Sequence, residues 1–177
     1  MKMESLDQIK ELRELTSCGV IDCKKALEEA KGDFNRAKAI LLEKNREMAA
    51  KKSSRVTKEG RVDSYVHAGN KIAVLLEVNC ETDFVARNED FCRFCKDVAM
   101  HIAWMNPAYI KEADVPQDLL NQQPDQKSFI KESCLLNQPF VRDQGTTIQD
   151  ILTGLIGKIG ENIVISRFKR YKVGEVE

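Results

Sequence analysis

The feature that most limits the fold of this chain is a β-hairpin pattern near its middle. Residues 61–67 alternate with the two-residue period of a strand, and residues 72–78 form a β-branched, largely apolar run. Residues 68–71 (Ala-Gly-Asn-Lys) lie between them and supply a turn that tolerates positive φ. So apolar a run predicts a central strand that is buried on both faces, or nearly so.

The residues that follow the hairpin predict helices that cover a small sheet. Asn88 can cap a long helix, whose apolar residues recur at three- and four-residue spacing until Pro107 ends it. Thr147 can cap a further helix, and residues 163–168 alternate as a last strand. The predicted fold class is therefore α+β, with about three antiparallel strands and helices over one face of the sheet.

The N-terminal region predicts a separate helical module. Residues 6–16, 22–30 and 34–41 carry apolar side chains at helical spacing, and Gly32 followed by Asp33 supplies a helix stop and the next N-cap. The basic stretch after this region predicts a linker or a solvated helical extension. The sequence therefore predicts three parts: a three-helix module at residues 1–45, a basic linker at 46–59 and an α+β core domain at 60–177.

The composition excludes several classes of protein. Hydrophobic residues make up 42% of the 177-residue chain, which argues against a disordered chain because this content can form a core. The 28 Lys and Arg residues balance the 28 Asp and Glu residues, whereas a generic nucleic-acid or membrane-surface binder carries a basic excess. No apolar run reaches the length of about 18 residues that a transmembrane helix needs. The charged N-terminus does not resemble a signal peptide, and the cysteine spacings fit a reducing compartment.

Motifs for catalysis and metal binding are weak. Cys80 and His67 are a conceivable nucleophile and base, but their spacing does not single them out. Cys92 and Cys95 form a C-x-x-C pair without the second pair that structural zinc needs, and core packing is the simpler account. These residues leave catalysis open but form no catalytic constellation, and we expect no metal and no cofactor. A thiol redox enzyme that uses Cys92 and Cys95 is an alternative, because Cys92 lies close to the helix cap at Asn88.

The connection between the apolar strand and the long helix is unusual. Residues 79–88 hold two acidic side chains, Phe84 and Val85 within a short loop. In one interpretation, Phe84 and Val85 fold back onto the core. In the other, Phe84 is exposed on a tight loop with Asp83 beside it, an arrangement that suits a hot spot of a protein interface.

Five segments, in order along nearly the whole chain, resemble the motifs of the translation elongation factor Ts family. The first runs from the end of the first predicted helix into the second, and the second is the connection just described. The five segments are residues 12–27 (LRELTSCGVIDCKKAL), 79–88 (NCETDFVARN), 99–103 (AMHIA), 135–141 (LLNQPFV) and 159–165 (IGENIVI).

The resemblance implies a function. Members of this family are guanine nucleotide exchange factors that bind the GDP-bound and nucleotide-free forms of elongation factor Tu, a GTPase. They do not make or break covalent bonds, and no direct binding to nucleic acid or membrane is expected. Their N-terminal module resembles the ubiquitin-associated (UBA) three-helix fold.

The resemblance also implies which residues contact the GTPase. Asp83 and Phe84 fall on the exchange motif, with Thr82 and Val85 on either side.

In the N-terminal module, Arg13, Val20 and Ile21 fall on positions that contact the nucleotide-binding domain of the GTPase. This sequence has Val20-Ile21 where the family usually has two methionines, so the apolar contact is kept and the adaptability of methionine is lost. His67 lies in a segment similar to Ser-Tyr-x-His of the family core and is a further candidate contact.

The chain carries one copy of the core, which is similar to the short type of the family, whose members pair as homodimers. The segment between residues 116 and 134 looks shorter than in that type. The resemblance implies a cytoplasmic protein, or one of a mitochondrial or plastid matrix after loss of a targeting peptide. A UBA-type adaptor that binds a small β-grasp protein is the alternative outside this family, but it gives the Thr-Asp-Phe-Val loop no role.

Overall fold

A computed structural model describes residues 2–175, with side chains from residue 6 onward. The chain forms two compact units, one with residues up to Val56 together with Leu152–Asn162, and the other with Thr57–Ile151 and the residues from Ile163 onward. The elements of the described residues are, in chain order, α1 (Lys2–Thr16), α2 (Val20–Glu29), α3 (Phe34–Lys52), β1 (Glu59–Val66), β2 (Ile72–Cys80), α4 (Asp83–Ala86), α5 (Glu89–Met105), α6 (Gln117–Asn121), α7 (Gln126–Ser133), β3 (Pro139–Phe140), β4 (Asp143–Thr147), α8 (Ile148–Ile159) and β5 (Ile163–Lys172).

The first unit is built on helices α1, α2 and α3. Gly32 at φ 86° ends the turn after α2, and the Asp33 side chain accepts a hydrogen bond from the Arg36 N–H at 3.0 Å to cap α3. These local signals place the helix ends where the sequence predicts them. The helices enclose a core of small and branched side chains: Ile9, Leu12, Cys18, Cys23, Ala26, Leu27, Ala30, Ala37 and Leu41.

This unit differs from the predicted module in its extent. Helix α3 continues to Lys52, through the first half of the segment expected to be a linker, and residues 152–162 group with the N-terminal helices. The buried Asn45 on α3 donates to the Thr16 carbonyl at 2.8 Å and accepts from the Cys18 thiol at 3.3 Å. A Cβ on Gly157 of α8 would lie only 2.6 Å from the Asn45 Oδ1. The absence of a side chain at Gly157 therefore lets α8 approach α3 closely.

The second unit is an antiparallel sheet with one face covered, as the predicted α+β class requires. Within the described residues it has three strands in the order β1-β2-β5, and α5 packs against β1 and β2. Val74, Leu76 and Val78 on β2 are at most 1% exposed, whereas Leu75 between them is 50% exposed. The prediction that β2 is buried on both faces is therefore wrong, because the helix covers one face only.

A buried histidine holds the segment before β4 against α5. His101 is fully buried, and its Nδ1 accepts a hydrogen bond from the Val141 N–H at 3.3 Å. Its Nε2 therefore carries the proton and donates to the Gln138 Oε1 at 2.9 Å, while the Gln138 amide donates to the Glu132 carbonyl at 2.6 Å. Burial lowers the pKa of His101, which favours this neutral form of the ring.

Among the described residues, no helix has the length and the hydrophobicity that would be needed to span a bilayer.

The two glycines of α8 predict opposite effects of alanine. Gly157→Ala should lower the free energy of unfolding by about 1–3 kcal/mol, because Asn45 is held by two hydrogen bonds and cannot move away without breaking them. Gly154→Ala is the matched control: its Cβ would lie 3.5 Å from the Thr16 carbonyl, an ordinary contact, and alanine gains about 1 kcal/mol of helix propensity. Urea unfolding of both variants would test this, and equal stability would contradict the close approach.

Candidate functional site

The candidate site of the second unit is a closed turn between β2 and α5. The Cys80 thiol donates to the Thr82 carbonyl at 3.1 Å, and the same carbonyl accepts from the Ala86 N–H at 3.2 Å. At the other end, the Asn88 N–H donates to the Val85 carbonyl at 2.9 Å, and the Asn88 side chain accepts from the Asp90 N–H at 2.9 Å to cap α5. The short helix α4 is thus fixed at both ends.

The turn sends two neighbouring apolar side chains in opposite directions. Val85 is 9% exposed and packs into the unit, whereas Phe84 is 81% exposed. The two interpretations of this segment therefore each describe one residue: Val85 folds back onto the core and Phe84 points outward. A phenylalanine this exposed adds nothing to the hydrophobic core, so its contribution lies at the surface.

Asp83 lies beside Phe84 and carries a weak ion pair. Its Oδ2 accepts from the Arg87 Nη2 at 2.8 Å, and the two side chains are 46% and 79% exposed. Ion pairs this accessible are worth at most about 1 kcal/mol, because water screens them. The Asp83 carboxylate can therefore exchange Arg87 for another donor at little cost.

The first unit carries the other predicted site residues next to a tight turn. Arg13 is exposed in the last turn of α1, and Val20 and Ile21 open α2 with exposures of 51% and 70%. The Ser17 N–H donates to the Arg13 carbonyl at 2.9 Å, which closes the end of α1 before the chain enters α2. Cys23, one turn further along α2, is buried, whereas Val20 and Ile21 at the start of the helix are exposed.

His67 lies at the other end of the β1–β2 hairpin from the α4 turn. The register pairs Val66 with Ala73 near the hairpin loop and Glu59 with Cys80 at the far end, which separates His67 from Cys80 by about 25 Å along the strands. One copy of the chain therefore does not bring His67 to the α4 turn. The same separation means that Cys80 and His67 cannot act together as a nucleophile and its base.

Trp104 is a surface residue that the sequence interpretation missed. Its ring packs edge-on against His67 with 6.0 Å between ring centroids, and the Tyr65 hydroxyl lies 3.1 Å from the His67 Nδ1. The Trp104 side chain is 66% exposed. The exposure of Trp104 could have been predicted from the periodicity of α5, because Trp104 lies off the apolar stripe on which Val98 and Ile102 are buried.

The thiol redox alternative meets a specific obstacle. The second thiol of a dithiol pair must reach and attack a disulfide formed at the first, but Cys95 is fully buried and burial raises its pKa to about 12. In the described part of the chain, no group of three or more His, Cys, Asp or Glu side chains could hold a metal ion.

Comparison with known proteins identifies a family. Residues 8–127 match the family model described as Elongation factor TS. A protein named Elongation factor Ts from Thermoanaerobacter sp. (strain X514) is 46% identical over 196 aligned positions, which cover 98% of this chain and 96% of the relative. The protein of the same name from Caldanaerobacter subterraneus subsp. tengcongensis is 45% identical, with 98% of both chains covered. A third from Alkaliphilus oremlandii is 48% identical over 94% of this chain and 88% of the relative.

These alignments also show that the chain is short. An alignment of 196 positions against a chain of 177 residues leaves at least 19 positions of the relative without a counterpart. A shortened segment between residues 116 and 134 would account for such a gap, and its location stays a prediction.

Proposed function

The chain belongs to the elongation factor Ts family, and we propose that it is the guanine nucleotide exchange factor of elongation factor Tu. Its role is in translation elongation. It binds the GDP-bound GTPase, promotes release of GDP and leaves a nucleotide-free complex that GTP then enters. No covalent bond of the nucleotide changes, so the protein is not an enzyme and needs no cofactor. The proposal places it where ribosomes work, in the cytoplasm or an organelle matrix.

The observation that carries the proposal is the exposure of Phe84 on a closed turn. The ring is 81% exposed, while Val85 and the hydrogen bonds of the turn fix the backbone beneath it. An aromatic side chain held this way loses little conformational entropy on binding, which is the property of an interface anchor. Asp83 adds a carboxylate that can change partners next to the ring.

The exchange mechanism is a coupling between two ligands of the GTPase. GDP and its Mg²⁺ are held by phosphate contacts and by a cradle of backbone N–H groups. If Phe84 inserts into a GTPase conformation in which this cradle is disturbed, that conformation binds the factor well and GDP poorly. The coupling is reciprocal, so nucleotide weakens the factor by the same ratio and GTP releases it. The rate of nucleotide equilibration changes and its end point does not.

The helical unit supplies a second contact to the GTPase in this proposal. Val20 and Ile21 together expose apolar surface at the start of α2, and Arg13 adds a positive charge near the turn before it. Branched side chains are stiffer than the methionines usual in the family, so the surface they fit is more narrowly defined.

We also propose that the protein is a homodimer in which a second copy covers the open face of the sheet. Val62, Val66, Leu75 and Tyr171 on this face are between 50% and 65% exposed. Such a stripe on a sheet that is covered on one side marks an interaction surface. Two observations favour a second copy as the partner that covers this face. The chain carries only one copy of the core, and within that core His67 lies far from the α4 turn.

Phe84→Ala should slow GDP release from elongation factor Tu by roughly thirtyfold, which corresponds to the loss of about 2 kcal/mol at an interface anchor. Stopped-flow release of fluorescent GDP measures this rate with the wild type and the variant. Because the ring is exposed, the free energy of unfolding should not change, whereas Val85→Ala, the buried neighbour, should lower it. Equally fast release with the Phe84 variant would remove this residue from the site.

Ile21→Ala should weaken binding to elongation factor Tu by about 1–2 kcal/mol. The substitution removes apolar surface that the Ile21 side chain would bury in the complex. Isothermal titration with the nucleotide-free GTPase gives the affinity. Leu6→Ala is the matched control, since Leu6 is 67% exposed in the same unit but lies outside the contact positions. Equal losses for the two variants would argue against a specific contact at Ile21.

Leu75→Glu should convert a dimer into a monomer, because it places a charge at the centre of the proposed interface. Lys169 faces Leu75 across the β2–β5 pair, so the new carboxylate finds a cation within its own sheet and the fold is kept. Sedimentation velocity over a range of concentrations measures the change, with Val56→Glu as an exposed control outside the sheet. A monomeric wild type at all concentrations would overturn the dimer.

A further inference from the structure

The direction of the α4 turn depends on one residue with an extended backbone. Helix α4 ends at Ala86 and α5 begins at Glu89. Between them, Arg87 keeps a right-handed helical backbone with φ −100° and ψ −5°, whereas Asn88 has φ −64° and ψ 138°. Asn88 is therefore the single residue whose backbone separates the two helices.

The neighbouring sequence does not explain this break. Residues 83–105 contain no glycine and no proline, the residues that most often end or interrupt a helix. Ala86, Arg87 and Glu89, which lie on either side of Asn88, all have high helix propensity. Without Asn88, the local preference would therefore be one continuous helix.

The Asn88 side chain stabilises the break. Its Oδ1 accepts a hydrogen bond from the Asp90 N–H at 2.9 Å and one from the Phe91 N–H at 3.4 Å. These N–H groups belong to the first turn of α5, where the helix itself supplies no acceptor. A side chain reaches them only from an N-cap residue with an extended backbone, so the cap and the break depend on each other.

The end of α4 differs from a continuing helix in its hydrogen bonds. The Asn88 N–H donates to the Val85 carbonyl at 2.9 Å and the Arg87 N–H donates to the Phe84 carbonyl at 3.3 Å, both three residues back instead of four. A continuous helix would also require a ψ of about −42° at Asn88, half a turn away from 138°. Such a rotation about one bond would change the direction of Phe84 relative to α5.

We propose that Asn88 is a positioning residue for nucleotide exchange: its cap keeps α4 and α5 separate, and this separation sets the direction in which Phe84 points. The inference rests on the proposed function. Asn88 acts through Phe84 and needs no contact of its own with the GTPase. The burial of Val85 acts in the same direction, because this side chain faces the core in the broken arrangement.

The first test varies the cap in the full chain. Asn88→Ala removes the cap and adds helix propensity, which together favour the continuous helix by about tenfold. GDP release from elongation factor Tu should therefore slow by about fivefold. Asn88→Gln keeps the amide but is a poor cap and should behave like Asn88→Ala. Asn88→Ser and Asn88→Asp restore a cap and should restore the wild-type rate.

A double-mutant cycle separates positioning from general stability. If Asn88 acts through Phe84, then Asn88→Ala added to Phe84→Ala should slow GDP release no further than Phe84→Ala alone. Asp125 offers a matched control in the same unit, since it caps α7 through the Lys127 N–H at 3.0 Å and the Ser128 N–H at 3.1 Å. Asp125→Ala should lose a similar amount of stability and should leave GDP release at the wild-type rate.

The helix break itself can be measured without the GTPase. Backbone Cα chemical shifts of the isotope-labelled full chain should show an extended residue at position 88 in the wild type and in Asn88→Ser. In Asn88→Ala this shift should move towards the helical value.

Each result decides one step. GDP release that is unchanged in Asn88→Ala, or slowed by a factor that multiplies with that of Phe84→Ala, would overturn the positioning role. An extended residue 88 in Asn88→Ala would show that the cap does not maintain the break. If the unmodified protein does not accelerate GDP release, the proposed function fails, while the chemical shifts still decide whether Asn88 keeps the two helices separate.

Discussion

The packing of α5 against the inner face of β2 positions the α4 turn and its exposed Phe84. Val74, Leu76 and Val78 are buried under this helix, and the chain has only residues 81–88 in which to turn from the end of the strand into the helix. A connection so short cannot fold over the surface as a loose loop. It is drawn into one helical turn, closed by the Thr82 and Val85 carbonyls and by the Asn88 cap.

This constraint explains how adjacent residues come to have opposite surroundings. In this single helical turn Val85 faces the core, and Phe84, about 100° away around the helix, faces outward. The exposed ring needs no special mechanism to stay exposed, because the burial of its neighbour maintains it. The Cys92 thiol donates to the Ala86 carbonyl at 3.7 Å, which ties the end of this turn to the start of α5.

Local features of the fold could be predicted from the sequence because each depends on a few neighbouring residues. The hairpin, the Asp33 and Asn88 caps and the three N-terminal helices are of this kind, and the structure confirms them. Burial on the second face of β2 could not be predicted, because it depends on how many layers the whole chain supplies. The grouping of α8 with α3 depends on Gly157 and Asn45, which are 112 positions apart in the sequence. The period of α5 indicates that Trp104 is exposed, but one exposed aromatic residue off a helical stripe does not by itself indicate a function.

The distribution of exposed apolar residues over both units fits a factor that must also be released. Because nucleotide and factor weaken each other by the same ratio, a single very strong contact would hold the GTPase in its empty state. In the proposed function, the exposed Val20 and Ile21 on one unit and Phe84 on the other would divide the binding free energy into parts of a few kcal/mol at most. The weak, exposed Asp83–Arg87 pair adds a contact that can form and dissolve without trapping the complex. Moderate contacts on rigid supports therefore meet both requirements, rapid insertion and rapid release.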